Sequence, residues 1–174
     1  SCGALVDVLC RACSAEDTAV VVSGAGASGM LAFLLCRTAN EMLGSSGAPS
    51  DRFRHLVAGG DAAIVRIEDS TEDDAPGAVS ALEAVLGHGT EPRGRRARRA
   101  VYIGVSCGMS ATYVGAQLEY AMDRMAAACA PRGAASTRAE LVFDAVCLLG
   151  FNQPSDLAPV RIQRWGTTCA DVVH

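Results

Sequence analysis

The stretch TAVVVSGAGASGMLAFLL (Thr18–Leu35) decides the fold. It begins with a β-branched run, Ala19–Ser23, that reads as a buried strand. A glycine-rich turn follows over Ser23–Gly29. Apolar residues then recur at helical spacing over Ser28–Leu43, with Gly44 as a stop signal. Glycines let the backbone come close to an anion. The free N–H groups and dipole of the helix behind them favour a phosphate. Gly26, Ala27, Ser28 and Gly29 are therefore the first candidate ligand residues, with Ser28 placed to cap the helix or to bond the ligand. Gly24, Gly26 and Gly29 also spell the dinucleotide fingerprint, a weak signal alone. A ribose would want an acid closing the second strand, and here Asp61 follows Gly59 and Gly60 instead.

Outward from this unit, strand-like and helix-like segments alternate. Leu5–Cys13 reads as the end of a helix and His55–Ala58 as a second strand. Ala75–Leu86 reads as a helix, opened by Pro76 and closed by Gly87. Ala100–Ser106 is a third strand and Ala111–Ala128 a long helix. Leu141–Leu149, nearly continuous in apolar residues, is a fourth strand covered on both faces. Val160–Val173 reads as a last helix holding the only Trp, Trp165. The alternation predicts a parallel sheet with right-handed crossovers, an α/β sandwich of three layers. Gly87–Arg99, with five arginines, and Pro131–Arg138 read as surface loops; the charge run is taken as a solvated face.

The 174 residues suffice for one domain with its own core. A net charge of −4 supplies no global basic field for nucleic acid or an anionic membrane. All fifteen basic residues are Arg, which excludes Lys-based chemistry within these residues. The eight cysteines form no framework. Cys10 and Cys13 have CxxC spacing but no second pair to complete a zinc site, so buried, reduced thiols in a cytosolic setting are expected. The three histidines, His55, His88 and His174, are scattered, and no metal or cofactor is expected. No apolar stretch is long enough to span a bilayer.

Ligands of a parallel α/β sheet bind beyond the C-terminal ends of its strands. Beyond the first turn, three such loops carry candidates. The second runs from Ala58-Gly59-Gly60-Asp61 to Asp69-Ser70-Thr71-Glu72-Asp73-Asp74. Its last six residues hold four carboxylates, which repel unless solvated or facing a ligand. Asp69 and Glu72 are the candidates there, as acceptors of sugar hydroxyls or, for Glu72, as a general base. The third is Ser106-Cys107-Gly108-Met109-Ser110, where Ser106 and Ser110 are candidates and Ser110 is a natural N-cap. The fourth contains Asn152, an amide that points at the same crevice or sits in a plain turn.

SGAGASGMLAF (Ser23–Phe33), VAGGDAAIVRIEDSTEDD (Val57–Asp74), YIGVSCGMSATYVGAQLEYAM (Tyr102–Met122) and LLGFNQPSDLA (Leu148–Ala158) occur in that order. Together they resemble the N-terminal sugar isomerase (SIS) domain of the glucokinase regulatory protein family, with N-acetylmuramic acid 6-phosphate etherases as wider relatives. The resemblance implies a flavodoxin-like SIS domain over residues 1–174, part of a longer two-SIS protein. It implies a regulatory domain, non-catalytic and cytoplasmic or nuclear. Fructose 6-phosphate or fructose 1-phosphate would bind at Gly26–Gly29, Asp69, Glu72, Ser106 and Ser110 and tune a hexokinase/glucokinase-type partner. The etherase branch would instead make Glu72 an acid–base residue of a lyase. A third reading is a degenerate SIS domain kept as an interaction module. The family usually carries Thr-Ser-Gly-Arg in the first turn, where this chain has Ala27-Ser28-Gly29-Met30. One hydroxyl and one guanidinium are thereby missing. Thr38 stands where the etherases have a second acid.

Overall fold

The computed structural model describes residues 2–47, 49–66, 69–108, 111–129 and 141–150. The inner strands, β1 (Thr18–Gly24) and β3 (Arg99–Val105), are buried along their length except at Arg99. Burial on both faces demands the unbroken small and β-branched runs that these segments contain. β2 (Phe53–Val57) and β4 (Val142–Leu149) flank them in the order β2-β1-β3-β4, and every pair is parallel. α1 (Cys2–Ser14) and α2 (Gly26–Ser45) cover one face, where Ala12, Ala32 and Cys36 pack on Val20, Val22, Val101 and Ile103. α3 (Ala75–Val85) and α4 (Thr112–Cys129) cover the other, where Leu82, Leu118 and Ala121 pack on Ala19, Val21, Tyr102 and Phe143. The three-layer α/β/α sandwich expected from the alternation is the observed fold.

Several boundaries differ from the sequence reading. α2 starts at Gly26, before Ser28, and runs through Gly44 to Ser45. β2 begins at Phe53 rather than His55, because Phe53 continues the register against Val20 and takes both a donor and an acceptor from Asn40. The Val160–Val173 helix, the loop at 131–138 and Asn152 lie outside the described residues.

Buried polar groups fix the layers to one another. Gln117 is fully buried, donates to the Ala78 carbonyl at 2.8 Å and accepts from the Tyr102 hydroxyl at 3.0 Å. One side chain thus ties α3, α4 and β3 together, and burial pushes the Tyr102 phenol up, keeping it protonated as the donor. Arg52, also buried, donates to the carbonyls of Ala15 and Thr18.

The 87–99 connection is on the surface as expected, but its backbone is fixed. Gly87 has φ of 76°, and a Cβ there would lie 2.6 Å from Arg96 Cα. Arg93 and Ala97 donate backbone bonds to Ala84 and Leu86, and Arg54 donates to the Arg95 carbonyl. The cysteine expectation needs correction. Among the cysteines whose side chains are described, only Cys36 is buried; Cys10, Cys107 and Cys129 are exposed, and Cys13 and Cys147 are half-buried. Burial pushes the Cys36 thiol up to about 12.

Candidate functional site

The first turn begins where β1 ends. Ala25 occupies the N-cap of α2 in extended conformation, and no side chain caps the helix. This corrects the capping role considered for Ser28. Gly26 adopts φ of 53° with nothing within 4 Å of where a Cβ would sit, so the chain enters the helix before reaching Ser28. Helix geometry leaves the N–H groups of Gly26 and Ala27 without intrahelical acceptors. They lie at the positive end of a 20-residue helix.

The glycines of this turn divide their work. A Cβ on Gly24 would stand 2.5 Å from the Ser28 backbone carbon, and one on Gly29 2.7 Å from Val57 Cγ1. Both therefore permit close strand–helix packing. Only Gly26 combines a left-handed conformation with open space, the combination an approaching anion needs.

Ser28 itself is buried, and its Oγ lies 3.4 Å from the Sγ of Cys107. That contact spans 79 positions in sequence and joins the first turn to the third. Ser106, just before Cys107, is buried and donates its N–H to the Leu149 carbonyl at 2.9 Å. Ser110 lies outside the described residues. Beneath these turns Ala25, Ala58, Ala78, Ala111, Tyr113 and Val114 form one apolar cluster. It unites the ends of β1 and β2 with the starts of α3 and α4, which gives the strand-end loops a common floor.

The acidic block is not the single ligand-facing cluster that its spacing allowed. Asp69 opens a 3-10 turn, Asp69–Asp73. Asp73 accepts from the Thr112 hydroxyl at 3.0 Å, and Asp74 caps α3 by accepting from the Gly77 N–H at 3.0 Å. Two of the carboxylates are thus occupied structurally, while Glu72 is exposed. The Asp73–Thr112 bond stitches this turn to the start of α4, next to the third loop. Thr71 packs over Gly59, whose φ is 83°. Asp61 sits 3.1 Å from His55 Nε2.

Sequence reasoning missed Cys107 as the partner of Ser28 and Thr112 as the anchor of Asp73. Their side-chain types carry no motif, and only the parallel order of β1 and β3 brings them into place. Among the described residues no group of three or more His, Cys, Asp or Glu side chains could hold a metal, and no helix is long and apolar enough to cross a membrane.

The fold and this crevice define an α/β domain with a parallel sheet and a glycine turn at a helix N-terminus. Comparison with known proteins gives the family. Residues 4–122 match the model of the glucokinase regulatory protein N-terminal SIS domain, and the chain belongs to that family. It is 33% identical over 155 residues to the glucokinase regulatory protein of Rattus norvegicus, covering 89% of this chain and 21% of that protein. It is 31% identical over 160 residues to that of Xenopus laevis, covering 91% and 22%. It is 31% identical over 155 residues to that of Homo sapiens, covering 89% and 21%. The chain thus spans about a fifth of the length of the curated relatives it matches.

Proposed function

We propose that this domain is a phosphosugar sensor, binding fructose 6-phosphate or fructose 1-phosphate and modulating a hexokinase/glucokinase-type partner. The observation that carries the reading is the convergence of the first and third turns, marked by the Ser28–Cys107 contact. A phosphate at the N-terminus of α2 would receive the Gly26 and Ala27 N–H groups and the helix dipole. Ser28 would lend its hydroxyl by turning from Cys107 to the ligand. Glu72, exposed on the adjoining turn, would accept from sugar hydroxyls together with Asp69. Ser106 belongs to the opposite lip in this reading, and Ser110 is kept as a candidate from the sequence. The names of the relatives supply the regulatory role and the glucokinase-type partner.

Calorimetric titration with each fructose phosphate tests the binding half of this reading. Saturable heat with either sugar, reduced in Ser28→Ala, is expected. No heat and no thermal shift with either would remove its basis. For the partner half, inhibition of a glucokinase by the 174-residue chain is expected to change with the fructose phosphate present.

A further inference from the structure

We draw no further inference here: the strongest candidate, the exposed apolar stripe of Leu31, Leu34, Leu35 and Met42 along the outer face of α2, carries none, because nothing in the structure shows what covers it.

Discussion

The Ser28 hydroxyl lies 3.4 Å from the Cys107 thiol, so the first turn of α2 and the turn after β3 are two sides of one crevice. A thiol is a weak hydrogen-bond partner, and a phosphate oxygen competes well with it for the Ser28 hydroxyl. Ser28→Ala is therefore expected to weaken fructose phosphate binding about tenfold, the value of one hydrogen bond to a charged group. Its melting temperature should stay near that of the parent. Calorimetry alongside a thermal melt reads both. A large drop in stability with unchanged affinity would assign Ser28 to packing alone.

Met30 follows this turn, where the family usually has Arg. A guanidinium at this point adds a charge-assisted bond to a phosphate, about 1.5–3 kcal/mol. Met30→Arg should therefore tighten fructose phosphate binding by tenfold or more. Unchanged affinity would mean that this position faces away from the phosphate.

The three glycines of the turn should respond differently to alanine. Gly24→Ala drives a Cβ to 2.5 Å from backbone, and Gly29→Ala drives one to 2.7 Å from Val57. Overpacking of this kind costs about 1–3 kcal/mol or more. Gly26→Ala meets no atom and bears only the left-handed backbone, about 1–2 kcal/mol. Urea unfolding should rank Gly24→Ala as the most damaging and Gly26→Ala as the least. The reverse order would contradict the assignment of Gly26 as the open, ligand-facing glycine.

Asp74 caps α3, whereas its near neighbour Glu72 is exposed. Asp74→Ala removes the cap of α3 and should cost about 1 kcal/mol, with little effect on ligand. Glu72→Gln should leave stability unchanged and weaken fructose phosphate binding. If the two variants behave alike, the division of the acidic block is wrong.

Burial holds the Cys36 thiol up at about 12, against an ordinary 9.0. The folded state therefore keeps its proton where the unfolded chain has lost it. Stability is full below pH 9 and falls as pH rises from 9 towards 12. The raised Tyr102 and Tyr113 phenols push in the same direction at higher pH. Cys36→Ala should flatten the part of the decline that begins near pH 9. A melting temperature that drops equally in both proteins would place the alkaline sensitivity elsewhere.

Much of the fold is legible in local sequence. Ala19–Val22 and Ala100–Ile103 are apolar runs that make sense as strands covered on both faces, and the layers follow from their alternation with helices. Leu141–Leu149 reads the same way but forms β4, where only Phe143 of the strand is buried and Asp144 and Leu149 are exposed. The start of α2 differs from the propensity reading because Ser28 is a better N-cap residue than Ala25, whereas the left-handed Gly26 sets the real entry. The site was legible as a set of loops but not as a set of contacts. Four carboxylates within six residues look alike in sequence; only the positions of Thr112 and the Gly77 N–H separate Asp73 and Asp74 from Glu72. Likewise, nothing local announces that the Asn40 amide answers both backbone groups of Phe53.

The most direct measurement is a crystal structure of the 174-residue chain with fructose 6-phosphate. The account expects the phosphate at the N-terminus of α2, within hydrogen-bond distance of the Gly26 and Ala27 N–H groups, with the Ser28 hydroxyl turned from Cys107 towards it. A sugar phosphate bound away from this turn, or a turn left unchanged and empty at saturating sugar, would contradict it.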